Sequence, residues 1–188
     1  MMVFPVGKMN YRNKKEVFEK QWPVLMKIAK KHKKQKGVFH TQTYEIADWV
    51  MTKAKGGKRL LTHVDARGKD AMIKEHYSMA KPTIIVSPSV KTGLDLKDHL
   101  SRFQVILKVP YPNMGDPRVK KRMEQLPQWY ADQTILELVQ MYGRSVRSAD
   151  DWAHTYILDE NFTRLYTENA HAMPAYFKEA IMFMTMKK

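Results

Sequence analysis

The sequence predicts an α/β fold, with a mainly parallel sheet and helices on both faces. Three observations lead there. Short β-branched and aromatic runs alternate with amphipathic stretches along the chain, the order that builds strand–helix–strand crossovers. The short runs are apolar on both faces or nearly so, as strands covered on both sides must be. The length, 188 residues, suits one domain spanning 1–188 with a single sizeable core.

Five runs read as strands: 37–41 (GVFHT), 59–63 (RLLTH), 83–89 (TIIVSPS), 103–111 (FQVILKVPY) and 154–159 (HTYILD). Helical patterns lie between them. Asn13 can cap a helix through Gln21, and Pro23 opens a second one that runs to Gln35. Thr43 caps a helix ending near Gly56, and 70–79 forms another, stopped before Pro82. Asp132 caps a long helix towards Arg147, and Pro174 opens the last.

Composition narrows the function. Hydrophobic residues at 44% and charged residues at 28% mark a globular chain, not a disordered one. With no cysteine, a disulfide scaffold, a Cys-ligated metal and a thiol nucleophile within this chain are excluded. The seven histidines show no metal-ligand spacing, so no metal site is expected. No apolar run reaches the ~20 residues of a membrane span, and the start, MMVFPVGKMNYRNKK, lacks the apolar region of a secretory signal. A cytoplasmic protein without membrane contact is expected. Lys and Arg total 33 against 19 Asp and Glu, a net charge of +14. That exceeds the roughly 2–8 charges sufficient for colloidal stability and points to a polyanionic partner. The competing reading is a surface tuned for solubility.

Open parallel sheets bind ligands beyond the carboxyl ends of their strands. Those ends carry Thr41, Gln42 and Thr43 after one run, Ser87, Pro88 and Ser89 after another, and Pro110, Tyr111 and Pro112 after a third. Hydroxyls before a helix start can bind phosphate oxygens; they can equally serve only as caps. Along 140–147 (QMYGRSVR), helical spacing puts Gln140, Arg144 and Arg147 on one stripe, opposite the apolar stripe Ile135, Leu138, Val139, Tyr142 and Val146. Two arginines and a glutamine suit phosphate, or form a solvated cationic face. In 83–96 a strand leads into a hydroxyl-rich loop, then Gly93 and Asp95. Strand polarity and helix arithmetic predict that the Thr41–Thr43 loop, the 87–95 loop and the arginine face share one edge of the sheet. Trp129, Tyr130 and Trp152 can stack on bases or pack in the core. His40 and His63 end strands read as neighbours and can meet.

QMYGRSVRSADDWAHTYILD resembles motif VI of superfamily 2 helicases, QxxGRxxR followed by an acidic pair and a strand, and is most similar to the XPD/DinG-like DNA helicases. IIVSPSVKTGLDLKDHLSRFQVILKVPYPNMGDPRV resembles motif V with its following strand. GVFHTQTYEIADWV is similar to motif IV, and FPVGKM to the segment entering the second motor domain. The ordered set covers nearly the whole chain. The resemblance implies a RecA-like three-layer sandwich. No G-x-x-x-x-G-K-[ST] phosphate loop and no acidic magnesium motif occurs in the chain, and both belong to the first motor domain of such enzymes. The expectation is therefore a second motor domain, excised from a longer protein and inactive alone.

The resemblance also implies roles. Arg144 and Arg147 match the arginines that reach the ATP γ-phosphate, with Arg147 as the arginine finger. Gln140, Gly93 and Asp95 match further ATP-contacting positions, and Thr41, Gln42, Ser87 and Ser89 match positions near the phosphates of the bound strand. The pattern departs at Thr92, where relatives often carry an acidic residue. The implied cofactor is ATP with Mg in the full-length enzyme, none being bound by this chain alone. The implied partners are single-stranded DNA and the N-terminal motor domain of the same protein, in a monomer. The competing functions are a stand-alone basic nucleic-acid-binding module and a RecA-like interaction scaffold without motor activity.

Overall fold

The computed structural model of the chain describes residues 1–65, 67–89, 96, 98–146 and 151–184. In chain order its elements are β1 (Met2–Val3), α1 (Lys14–Lys31), β2 (Gly37–His40), α2 (Tyr44–Lys53), β3 (Leu60–Thr62), α3 (Gly68–Ser78), β4 (Ile84–Ser87), β5 (Phe103–Ile106), α4 (Pro117–Gln125), α5 (Trp129–Tyr142), β6 (His154–Ile157), α6 (Asn161–Asn169), α7 (Ala175–Glu179) and β7 (Met182–Phe183). The strands form one seven-stranded sheet in the order β3-β4-β2-β5-β6-β1-β7. Every pairing is parallel, and β2 lies in register between β4 and β5, with His40 opposite both Ser87 and Ile106.

Alternating side chains divide the core into layers. On one face Phe39, Phe103, Val105 and Tyr156 pack with Phe18 and Leu25 of α1 and Ile46 of α2. On the other, Ile106 and Ile157 meet Ile135 and Leu138 of α5 and Phe162 of α6, while Val38 and Ile85 meet Met72 and Ile73 of α3. This is the three-layer α/β sandwich expected from the sequence. Gly37 is needed where it stands, because a Cβ there would overlap the Phe103 ring on the neighbouring strand.

Several elements differ from the sequence reading. The two helices expected around Pro23 are one, α1, with Pro23 inside it. A proline leaves the carbonyl four residues earlier without its helical donor; that residue is Glu19, and both it and Pro23 are exposed, so water can satisfy the group. The strand expected at 103–111 ends at Ile106, and the chain beyond Leu107 leaves the sheet. Helix α5 begins three residues before Asp132, which sits in its first turn. Strands β1 and β7 and helices α4 and α6 had no counterpart in the reading. His40 and His63 do not meet, because β4 lies between β2 and β3.

Candidate functional site

Among the described residues, Arg144 lies towards the opposite edge of the sheet from Thr41–Thr43 and Ser87–Ser89. All strands are parallel, so Thr41–Thr43 and Ser87–Ser89 leave β2 and β4 at the same, carboxyl edge. The turn after α5 is fixed at the other edge. There the Ser145 hydroxyl lies 2.7 Å from that of Ser101, both fully buried, just before β5 begins. Five residues of strand, roughly 16 Å at about 3.3 Å per residue, separate the level of Ser101 from that of His40 and Ser87. For Arg144 the shared edge predicted from helix arithmetic is therefore corrected, while residues 90–95 and Arg147 lie outside the described residues. A helix packed back onto a parallel sheet must end near the start of the next strand.

At the carboxyl edge, the hydroxyls of Thr41 and Ser87 are turned inward. Both residues are fully buried. Thr41 Oγ1 donates to the Thr43 carbonyl (3.1 Å), and Ser87 Oγ lies 2.7 Å from His63 Nε2. His63 Nδ1 donates to the Asp65 carbonyl (2.6 Å). Ser89 is half-buried, and its N–H donates to Ser87 Oγ. Thr43 caps α2 by accepting from the Ile46 N–H (3.2 Å). Gln42 stands in the left-handed region, φ 63°, a conformation that side-chain-bearing residues adopt rarely and that clusters at functional turns. Of the four residues expected to contact a strand, Gln42 and Ser89 reach the surface, while Thr41 and Ser87 shape the loops from beneath.

At the other edge, α5 stops short of Arg144. Thr134, Ile135, Leu138 and Met141 form its buried stripe, and Gln140 is exposed away from it. Gly143 ends the helix, its N–H bonded to the Val139 carbonyl (3.0 Å), and the Arg144 N–H turns to Met141 (3.2 Å). Gln140 and Arg144 therefore do not share a helical stripe; Arg144 belongs to a turn held by the Ser101–Ser145 bond. Arg147, Gly93, Asp95 and Thr92 lie outside the described residues. Beyond the turn, Asp151 accepts from Arg102 Nη1 (2.6 Å), from the Trp152 N–H (2.9 Å) and from the Asp98 N–H (3.3 Å). Arg102 also stacks on Trp152, 4.8 Å from the ring centroid.

A buried polar chain runs between the two edges. His40 Nε2 lies 3.0 Å from Gln104 Oε1, and Gln104 Nε2 donates to the Tyr142 carbonyl (3.2 Å) and to Thr155 Oγ1 (2.9 Å). Gln42 Nε2 contacts Met141 Sδ at 3.8 Å. The exit of β2 thus reaches the last turn of α5 directly through Gln42 and by way of Gln104 through His40. The sequence reading passed over Gln104; its only signal is an amide inside an otherwise apolar strand, which must find partners when buried.

The carboxyl edge also holds a cleft of about 790 Å³ over the exits of β2, β5 and β6, bounded in part by Gln42, Lys14, Lys108, Tyr111, Tyr130 and Arg164. Tyr111 and Tyr130 stack with centroids 5.4 Å apart and planes 14° from parallel. Burial pushes the Tyr111 hydroxyl up to about 12, with the Asp159 charge adding to the effect. Beneath the cleft, Asp159 is fully buried and accepts from the Met9 N–H (3.1 Å), the Val109 N–H (2.9 Å) and the Asn161 N–H (3.0 Å). Burial holds its carboxyl above the usual carboxylate range, against the pull of those three donors.

Among the described residues no group of three metal-ligating side chains occurs, and no helix is long and apolar enough to cross a membrane. Among solved structures, Xpd4 of S. tokodaii superposes with a TM-score of 0.68 at 18% identity, covering 98% of this chain and 38% of that one. An apo XPD structure gives 0.70 at 17%, covering 97% and 39%. The C-terminal domain of the DEAD-box protein Dbp5 gives 0.61 at 12%, covering 97% and 87%. These likenesses show a RecA-like fold. In sequence, the Fanconi anemia group J protein homolog of Gallus gallus is 31% identical over 85 residues, which are 39% of this chain and 7% of that protein. The chain thus spans a small part of that relative and well under half of the XPD chains. Residues 15–180 match the helicase C-terminal domain family, and the chain belongs to that family.

Proposed function

We propose that the chain is the second motor domain of an ATP-dependent DNA helicase, holding a single strand at its carboxyl edge and presenting Arg144 and Arg147 to ATP bound on a first motor domain. The observation that supports this reading is that Gln42 and Ser89 at the carboxyl edge and Arg144 towards the other belong to one sheet and are linked through Gln104. A domain that grips a polyanion at one edge and carries Arg144 towards the other can couple a change at one to a change at the other.

ATP with its magnesium supplies the phosphoanhydride that is cleaved. This chain's share is cationic: the side chains of Arg144 and Arg147 place guanidinium charge where negative charge grows on the transferred phosphoryl group. The residues present fit the anionic end of a nucleotide. They do not supply a phosphate loop, and no ligand set for magnesium is found among the described residues. Gly93 and Asp95 join the nucleotide side by family resemblance, and Gln140 lies exposed on the same helix end. At the strand edge, Gln42 and Ser89 meet the backbone, while Thr41 and Ser87 hold the loops in shape. The +14 charge adds sequence-independent attraction to phosphates.

The test is turnover. The purified chain alone hydrolyses no ATP with or without single-stranded DNA. Joined to a phosphate-loop motor domain of its own family, it supports DNA-stimulated hydrolysis. DNA-stimulated turnover by the chain alone would overturn the assignment.

A further inference from the structure

The cleft over β2, β5 and β6 holds a cation, Lys108, with no counter-ion paired to it among the described residues. Lys108 is half-buried at the exit of β5, and among the described residues it forms no hydrogen bond or ion pair. The carboxylates it senses are Asp159 and Glu45. Asp159 is committed to three backbone N–H groups, and Glu45 is paired with Lys14. A partly desolvated ammonium is costly unless an anion meets it, and burial holds the Lys108 ammonium below its ordinary pKa.

The same cleft is lined by two stacked aromatic rings, Tyr111 and Tyr130. The Tyr130 hydroxyl donates to the Pro112 carbonyl (3.2 Å), which fixes the ring that stacks on Tyr111. With its hydroxyl pushed up to about 12, Tyr111 stays neutral at physiological pH and adds no repulsion towards an anion. The cleft is continuous with the strand-contact loop, because Gln42 and Thr43 line it as well.

We propose that this cleft is a binding site for one nucleotide of a single-stranded nucleic acid, its phosphate on Lys108 and its base against the Tyr111–Tyr130 stack. The site rests on the strand-holding reading above and extends the track from the exit of β2 to the exit of β5. A cation beside a flat ring is the pairing that holds single strands without reading sequence. An acidic peptide would use Lys108 but has no need of the ring wall.

The test uses the 188-residue chain and a labelled oligothymidylate of about a dozen nucleotides, with affinity followed by anisotropy over a salt series. Lys108→Met should weaken binding about tenfold and reduce the salt slope by about 0.7, the share of one single-strand phosphate. Tyr111→Leu should weaken it about tenfold, within the range for losing one base–aromatic stack. Lys27→Met removes the same charge from the exposed face of α1 and should change affinity less than about twofold. Because Tyr111→Leu also trims the core, the wild-type chain is photocrosslinked to an iodouracil-substituted strand, and the adduct is expected on Tyr111.

If the wild type binds while Lys108→Met matches Lys27→Met and no adduct forms on Tyr111, the cleft is not a site, although strand-holding by Gln42 and Ser89 stands. If polyglutamate displaces the oligonucleotide as well as unlabelled oligonucleotide does, the occupant is an acidic chain and the proposal fails. If the wild type binds no strand at low salt, the strand-holding reading itself fails, and this site with it.

Discussion

Asp159→Ala should remove the fastening that gathers three segments at the carboxyl edge. The side chain is fully buried. One oxygen accepts from Met9 and Asn161, the other from Val109, which ties the N-terminal segment, the exit of β5 and the first turn of α6 together. Alanine leaves three backbone donors without an acceptor. The Met9 and Val109 donors are buried and cost about 1–3 kcal/mol each, whereas water can reach the third more readily. Relief of the buried charge offsets part of this, so a loss of about 3 kcal/mol is expected. For a chain of this size that corresponds to a fall of about 6–12 °C in melting temperature. Asp159→Asn keeps one acceptor oxygen and should lose about half as much. The pH dependence has a definite sign. Burial raises the Asp159 pKa above its unfolded value, so its ionisation opposes folding. The margin of wild type over Asp159→Asn should be greatest below the unfolded pKa and should shrink as pH rises through the folded one. Differential scanning calorimetry from acid to neutral pH measures both effects. A melting temperature for Asp159→Ala within about 2 °C of wild type would refute the fastening.

Two further predictions follow from the buried polar groups. Burial lowers the His32 and His76 pKa values, so the stability they contribute is present above about 6.5 and is lost as pH falls through the lower folded values. Melting temperature should therefore drop between neutral pH and pH of about 5, and a flat profile would contradict neutral buried imidazoles. Gln104→Met is near-isosteric but strips partners from His40, Thr155 and the Tyr142 carbonyl. It should cost about 2 kcal/mol and, in the joined two-domain enzyme, cut strand stimulation of hydrolysis several-fold while basal turnover persists. Equal loss of basal and stimulated rates would make Gln104 a structural residue only.

The legible parts of the fold are those where burial writes a pattern. β2, β4, β5 and β6 are covered on both faces, and their apolar runs stand out in the sequence. β1 and β7 have two residues each, too few to show a period. α4 buries no side chain, so no apolar stripe marks it; its one signal is Asp116 ahead of Pro117, a cap followed by the favoured first helical residue. Pro23 misleads because its penalty falls on a carbonyl that faces water. At the site, the arginine turn is visible as a motif but its edge is not. Helix periodicity carries the pattern through Gly143, where the chain in fact turns to bond Ser145 to Ser101. The cleft is hidden for a similar reason. VILKVPY continues the alternation of β5, so Lys108 and Tyr111 read as strand residues, although the ladder ends before them. Glycine and a long-range hydroxyl pair decide the first case, and the tie of Val109 to Asp159 decides the second. Neither contact has a local signature.

The most direct measurement of the motor account is steady-state hydrolysis by Arg147→Ala in the enzyme that joins this domain to its phosphate-loop partner. The account predicts a kcat lower by about 10³–10⁵-fold, the usual range for losing an arginine finger. Nucleotide affinity should change modestly, because most nucleotide contacts come from the other domain, and melting temperature and nucleotide-free strand binding should stay the same. Arg147→Lys should recover little, since an ammonium supplies charge without the planar fork. Turnover near that of the wild type, with the fold intact, would contradict the account.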